Sequence, residues 1–213
     1  MWLSMKKLKV NEIFDSIDGE GRRAGELTSF IRLTGCNLRC TYCDSVYTFH
    51  EGEEMEIEDI VKKVSYKNVT LTGGEPLFQD VHGLLDRLTE YDVNIETNGS
   101  ILIIPYMRHK NAWFTIDYKC GCSGMSKHML EDNFWALRKQ DVLKFVVGSP
   151  DDLDQAHNMC STYKPKAQVY ISPVFGKIEP RDIVAYMKKH NLQNWRIQLQ
   201  LHKFIWDPMK RGV

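Results

Sequence analysis

The chain is organised around residues 35–45, which read Gly35-Cys36-Asn37-Leu38-Arg39-Cys40-Thr41-Tyr42-Cys43-Asp44-Ser45. Three cysteines stand four and three residues apart, with an aromatic residue before the last and two oxygen-bearing side chains after it. Thiolates are common ligands of iron–sulfur clusters, and three of them leave one iron of a four-iron cluster without a protein ligand. Such an open iron can bind a substrate or cofactor directly. The alternatives are a structural zinc site completed by a distant Cys or His, or free thiols in a reducing compartment.

Several motifs together resemble one known group of enzymes. The cysteine loop is similar to the CxxxCxΦC signature of radical S-adenosylmethionine (SAM) enzymes, where Φ is aromatic, and residues 72–76, Thr-Gly-Gly-Glu-Pro, resemble their GGEP motif. Two further segments narrow the resemblance to the 7-carboxy-7-deazaguanine synthase family: Phe14–Gly21 with Arg32 downstream, and Leu201-His202-Lys203-Phe204 near the end. The resemblance covers nearly the whole chain.

The resemblance implies a reaction and its cofactors. A reduced 4Fe-4S cluster on Cys36, Cys40 and Cys43 would bind SAM through its open iron and cleave it to a 5′-deoxyadenosyl radical. The radical would take a hydrogen atom from 6-carboxy-5,6,7,8-tetrahydropterin, whose ring contracts with loss of ammonia to 7-carboxy-7-deazaguanine, as in queuosine and 7-deazapurine biosynthesis. The family also implies Mg²⁺, a homodimer, and an external electron donor such as flavodoxin or ferredoxin.

The same resemblance assigns residues to the pterin substrate. Glu20 would accept hydrogen bonds from adjacent N–H groups, which suits a carboxylate, and Arg32 would bind the substrate carboxylate in a bidentate fork. Asp18 stands where the family usually has glutamine. The complete predicted set is Ile17, Asp18, Gly19, Glu20, Arg32, Thr72, His202 and the terminal Val213, with the tail 201–213 closing the active site.

A second set is assigned to SAM and to magnesium. The hydroxyl of Ser45, in a position where threonine is more usual, would bind Mg²⁺, a cation that prefers oxygen ligands. Asp117-Tyr118-Lys119 occupies the place of a Ser-Pro-Lys contact in many relatives. The residues predicted to contact SAM are Tyr42, Cys43, Asp44, Gly74, Glu75, Asn98, Asp117, Tyr118, Lys119 and Ser172.

Strand-like segments alternate with helical ones along the chain. Residues 9–14, 29–33, 68–72, 93–97, 113–118, 142–147, 168–172 and 195–200 read as strands, with helical spacing near 57–64, 81–89, 152–159 and 181–189. This alternation predicts an α/β fold, a parallel sheet and an incomplete TIM-like barrel in one domain, residues 1–213. Ligands of such barrels bind at the carboxyl ends of the strands, where most of the residues assigned above fall.

Composition limits the possible partners. The chain has 28 basic and 28 acidic residues, so no net charge attracts nucleic acid or an anionic membrane. The start, Met1–Lys7, carries no long apolar core or cleavage site, which together with the cysteine usage predicts a cytoplasmic protein. We interpret Cys120, Cys122 and Cys160 as free thiols, because an auxiliary cluster needs more ligands.

Two other functions share some of these features. A glycyl-radical-enzyme activase has the cysteine and GGEP motifs, but would not need Glu20, Arg32 and His202. A non-catalytic metal-binding module would leave Gly73-Gly74-Glu75-Pro76 unexplained.

Overall fold

Three antiparallel strands form one edge of the sheet. The computed structural model describes residues 7–208 and 210–213; residues 1–6, which include most of the start considered above, and Met209 of the tail lie outside them. Strand β1 (Lys7–Ile17) pairs with β2 (Leu27–Leu33) and, on its other side, with the short β3 (Glu53–Glu56). The hairpin between β1 and β2 carries the loop around Glu20, and β2 runs directly into the cysteine loop.

Six further strands continue the sheet, each parallel to its neighbour. They are β4 (Asn68–Gly73), β5 (Asp92–Thr97), β6 (Ala112–Tyr118), β7 (Val142–Val147), β8 (Gln168–Pro173) and β9 (Trp195–Ile197). Within the described residues the order is β3-β1-β2-β4-β5-β6-β7-β8-β9, with β2 parallel to β4. Because β3 and β9 do not pair, the sheet is open. The predicted α/β fold with a parallel, incomplete barrel is confirmed.

Helices connect the strands and cover one face of the sheet. They are α1 (Ile57–Lys62), α2 (His82–Arg87), α3 (Glu131–Ala136), α4 (Pro150–Tyr163), α5 (Pro180–Lys189) and α6 (His202–Ile205). Their apolar residues share one core with alternate strand residues, such as Leu71, Ile95 and Phe145. No helix in the described part of the chain is long and apolar enough to cross a membrane.

Four local features differ from the predictions. The acidic segment before α1, which is not among the predicted strands, contains β3, because edge pairing with β1 requires only a backbone. The short helices α3 and α6 were not predicted, since each has less than two turns of periodic sequence. The last strand ends at Ile197 instead of at Gln200, where the backbone turns toward the loop of Glu20.

Candidate active site

The strand alternation places two kinds of side chain on the two faces of the sheet. Successive side chains of a strand point to opposite faces of the sheet. One face packs against the helices and forms the core, and we call the other face the second face. Toward the carboxyl ends of the strands this face carries polar or charged residues, namely Arg32, Thr72, Glu96, Asp117, Lys144 and Ser172. Nearer the amino ends, Trp113, Val142 and Tyr170 form a small apolar cluster on the same face. Polar groups are therefore concentrated at the end where the cysteine loop begins.

Neighbouring loops hold the cysteine loop in place. The Thr41 backbone N–H donates to Ser123 O (3.1 Å), and its hydroxyl donates to Cys122 O (2.6 Å). On the opposite side, Glu75 N donates to Gly35 O at 2.8 Å. Gly74 packs so closely that a Cβ there would lie 2.8 Å from Cys36 Cβ. The loop is thus fixed between the GGEP segment and the turn after β6.

The three loop cysteines are partly buried free thiols. Burial is the main cause that raises the pKa of Cys36, Cys40 and Cys43, so a cation must compensate for the thiolate charge when they act as ligands. The three thiols come from one short loop, and three thiolates are the protein ligands that a four-iron cluster with one open iron needs.

Glu75 of the GGEP motif is fully buried and accepts hydrogen bonds from neighbouring segments of the protein. Its carboxylate accepts hydrogen bonds from Leu77 N (3.0 Å), Thr97 Oγ1 (2.8 Å) and Asn98 N (2.7 Å), and burial raises its pKa to about 7. Glu75 is predicted to contact SAM, and this stays a prediction; in this structure its carboxylate accepts three internal hydrogen bonds. Asn98 faces the cysteine loop, with its amide 3.8 Å from Cys36 Sγ.

A charged group lies where the strands β5, β6 and β7 end. Lys144 forms a short ion pair with Glu20 and lies 4.0 Å from Asp117 Oδ2, which also pairs with Lys119 at 3.0 Å. Burial alone would lower the pKa of Lys144. The negative charges of Glu20, Asp117 and Glu96 together have the larger effect and raise it. The group thus contains Glu20, which is predicted to bind the substrate, together with Asp117 and Lys119, which are predicted to contact SAM. Sequence reasoning assigned no role to Lys144, although a lone lysine in the apolar strand 142–147 was the available signal.

Glu96 belongs to the same group and was likewise not among the predicted contacts. Burial, followed by the negative charge of Glu20, raises its pKa from 4.5 to about 7. The hydroxyl of Thr72 hydrogen-bonds to it. A carboxyl group with this pKa is able to exchange a proton near neutral pH.

Asp18 lies away from this group, in a buried network. Its carboxylate accepts from Arg23 Nε (2.9 Å) and Thr70 Oγ1 (2.8 Å), while its N–H donates to Glu26 O and its carbonyl accepts from Gly25 N. Burial raises the pKa of Asp18, and Arg23 offsets this only in part. The contact of Asp18 with substrate stays a prediction; in this structure its carboxylate, N–H and carbonyl all bind other parts of the protein.

Tyr118, which is predicted to contact SAM, places its side chain in the helical layer. Its ring packs 5.5 Å from Phe134 and 5.2 Å from Phe145 (ring centroids), and its hydroxyl accepts from Gln155 Nε2. Because Asp117 points to the second face, the alternation places the next side chain in the helical layer. The Tyr118 side chain therefore does not face the site that Asp117 and Lys119 share.

The loop of Glu20 is covered by the tail. A Cβ on Gly19 would lie 2.6 Å from His202 Nδ1, and Leu201 N donates to Gly19 O. Burial lowers the pKa of His202, which favours the neutral imidazole. Ile17 ends β1 and pairs with Leu27 at the base of this loop.

Arg32 forms an ion pair with another residue of the protein. Its Nε donates to Glu12 Oε1 at 2.7 Å, and the hydroxyl of Tyr47 also donates to this oxygen. The tail reaches this pair: the Arg211 guanidinium stacks on the Tyr47 ring at 3.6 Å. Gly212 follows beside Glu12, and Val213 ends the chain there, half-buried.

Asp44 and Ser45 form the oxygen-rich end of the cysteine loop. The Ser45 hydroxyl donates to Asp44 Oδ1 at 3.0 Å, and Lys203 lies 3.9 Å from Asp44 Oδ2. The arrangement connects the start of α6 to the loop that carries the cysteines.

The three remaining cysteines are buried or half-buried. Cys120 is fully buried, and burial raises the pKa of Cys122 and of Cys160 to about 12. The Cys120–Ser123 turn supports the cysteine loop through its carbonyl oxygens. This backbone role needs no thiol chemistry.

The fold and the three-cysteine loop define a radical SAM domain, and residues 30–121 match the sequence model of the Radical SAM superfamily. The chain is 45% identical to a 7-carboxy-7-deazaguanine synthase from Clostridium acetobutylicum, over 96% of this chain and 99% of the relative. It is 39% identical to one from Methanospirillum hungatei, over 94% and 86%. The crystal structure of QueE from Escherichia coli shares the fold, with a TM-score of 0.75, 22% identity, and coverage of 92% of this chain and 95% of that one.

The identity and coverage show that this chain belongs to the 7-carboxy-7-deazaguanine synthase family. Membership implies an enzyme that uses a 4Fe-4S cluster and SAM.

Proposed function

We propose that this chain catalyses the radical SAM ring contraction of 6-carboxy-5,6,7,8-tetrahydropterin to 7-carboxy-7-deazaguanine, with loss of ammonia as a carbon–nitrogen lyase. The relatives named above carry the name of this activity. The site described here has the groups that such a reaction needs, and they lie at the end of the sheet where the cysteine loop stands.

One observation carries the proposal. In residues 7–208 and 210–213, five buried side-chain oxygen atoms have no hydrogen-bond partner, and four of them belong to residues predicted to bind ligands: Glu20 Oε2, Tyr42 Oη, Asp117 Oδ1 and Ser172 Oγ. An unsatisfied buried polar atom costs about 1–3 kcal/mol, so its presence in a folded protein calls for an explanation. Ligands with N–H and O–H donors would satisfy these acceptors.

The chain's residues fit the cofactors. Cys36, Cys40 and Cys43 would each bind one iron, and Gly74 allows the loop to pack against the GGEP segment. When bound, the cluster and SAM supply the radical that removes hydrogen from the substrate. Asp117 and Lys119, together with Ser172, would hold SAM beside the loop.

The substrate would lie between the loop of Glu20 and the charged group on the strands. Glu20 Oε2 is free to accept from the N–H donors of the pterin, and the neutral His202 imidazole covers the loop. Arg32, oriented through Nε by Glu12, would bind the substrate carboxylate through its Nη atoms. Thr72 lies next to Glu96, which has the pKa of a group able to move a proton during ammonia loss.

Magnesium belongs to the same proposal. The Ser45 hydroxyl would be the protein ligand, with Asp44 close enough to bind through a water molecule. Substrate oxygens and waters would complete the coordination.

The family supports several proposals about the whole protein. We propose one domain over residues 1–213, a tail 201–213 that closes the site, and a homodimer. A cytoplasmic location would keep the six free cysteines reduced. An external one-electron donor, such as flavodoxin or ferredoxin, would reduce the cluster.

The test is an anaerobic assay of the reconstituted and reduced protein with SAM, Mg²⁺ and carboxy-tetrahydropterin, with products identified by mass. We expect 7-carboxy-7-deazaguanine from the unmodified chain, none from Cys40→Ala, and less from Arg32→Ala. Cys160→Ala is the matched control, because Cys160 lies on α4 outside the site. Cleavage of SAM without turnover of the pterin would overturn the substrate, and no cleavage by a verified reduced cluster would overturn the reaction class.

A further inference from the structure

Lys144 is the one buried cation that contacts Glu20 in the described part of the chain. It lies on β7, directly opposite Asp117 in the register of β6 and β7, and only 6% of its surface is exposed. A lysine is almost never buried this deeply unless it is paired. Its pairing is therefore part of how the site is built.

The contacts of Lys144 divide the Glu20 carboxylate into two parts. The ammonium group pairs with Oε1, whereas Oε2 is buried and has no partner. The same holds for Asp117, whose Oδ2 faces Lys144 and Lys119 while Oδ1 has no partner. Lys144 therefore holds one oxygen of Glu20, and Lys119 holds one oxygen of Asp117, while the other oxygen of each carboxylate remains open to a ligand.

The charges of the group explain why a cation is required there. The negative charges of Glu20, Asp117 and Glu96 all act on Lys144, and Lys119 pairs with Asp117. Without Lys144, Glu20 Oε1 would lose the ion-pair partner that fixes the orientation of the carboxylate.

We infer that Lys144 is a positioning residue: its ion pair with Glu20 Oε1 orients the carboxylate so that Oε2 accepts N–H donors of the substrate. The inference rests on the proposed function and adds a residue that the family motifs do not include. Lys144 acts through Glu20 and is not itself assigned a contact with the substrate.

The experiment is a double-mutant cycle on ligand binding. Reconstituted, unreduced protein with SAM is titrated calorimetrically with 6-carboxypterin, the oxidised form of the proposed substrate, so that no turnover occurs. We expect Lys144→Met to weaken binding roughly 10- to 100-fold, the range for loss of a charged hydrogen bond. In the Glu20→Gln background, where the charge pair is already lost, the same substitution should change the affinity less than about threefold.

Three controls make the result specific. Lys144→Arg keeps the charge and should retain binding within a few-fold, the exposed Lys139→Met should have no effect, and thermal unfolding checks that each variant folds.

Each outcome decides the inference. Equal losses in both backgrounds would mean that Lys144 acts independently of Glu20, and unchanged binding by Lys144→Met would mean that it has no such role. Either result overturns the inference while leaving the proposed function intact. If the unmodified chain does not bind 6-carboxypterin, the proposed function fails and the inference fails with it.

Discussion

Replacing Gly74 by alanine tests whether the GGEP segment and the cysteine loop are packed as one unit. Gly74 does not have the positive φ that favours glycine, so the main effect of alanine comes from the added methyl group. That Cβ would lie 2.8 Å from Cys36 Cβ, and it would also meet the backbone of Gly35, so the loop must move.

The size of the effect follows from this overlap. Overpacking a well-packed site costs about 1–3 kcal/mol. For a chain of this length each kcal/mol lowers Tm by about 2–4 °C, so we expect Tm to fall by roughly 2–12 °C. Because the contact involves the first cluster ligand, Gly74→Ala should also retain less iron and sulfide after reconstitution.

The assay combines thermal unfolding of the unreconstituted chain with iron and sulfide analysis of the reconstituted one. Gly121→Ala is the matched control on the other side of the cysteine loop, since its Cβ would have 3.6 Å to the nearest atom, Asp152 Oδ1. We expect the control to keep both properties. A Gly74→Ala variant with normal Tm and a full cluster would refute the reasoning.

Three further predictions concern buried charges and thiols. Arg23→Leu leaves the buried Asp18 carboxylate without its ion-pair partner and should lower the free energy of unfolding by about 3–5 kcal/mol in urea titrations; adding Asp18→Asn should recover part of the loss, and no recovery would contradict the argument. Folded Glu96 holds its proton up to a pKa of about 7, while in the unfolded chain it ionises near 4.5, so this group makes stability fall as pH rises through that window. Glu96→Gln should reduce the fall seen in denaturation curves at several pH values, and an unchanged pH dependence would count against it. Iodoacetamide should modify the loop cysteines of the unreconstituted native chain well before Cys120 and Cys160, as followed by mass spectrometry, and rapid labelling of Cys120 would contradict its burial.

Much of the architecture is predictable from the sequence because it follows from local patterns of apolar and polar residues. The apolar strands between residues 68 and 173, each followed by a glycine or polar loop, predict the parallel order that the sheet shows. The pattern fails where pairing depends on partners distant in sequence. Strand β3 is acidic and would read as a solvated loop, yet its backbone completes the edge next to β1.

The candidate site is predictable to a smaller extent. Motifs identify Glu20 and the three cysteines, but they cannot tell whether a neighbouring polar residue faces a ligand or the protein. Asp18 stands two residues from Glu20, and its carboxylate is taken up by Arg23 and Thr70, a residue 52 positions away in the chain. In the same way, the motif residue Glu75 binds three internal donors.

The sequence by itself determined the ligand chemistry and the order of the elements, because cysteine spacing, glycine positions and hydrophobic periodicity are local properties of the chain. Only the tertiary structure decided which side chains are available to bind a ligand. Lys144 lies 124 residues from Glu20, and their ion pair exists because β7 ends beside the loop between β1 and β2. Burial and pairing depend on such contacts between distant segments, and these set the charge and the free hydrogen-bonding atoms of the site.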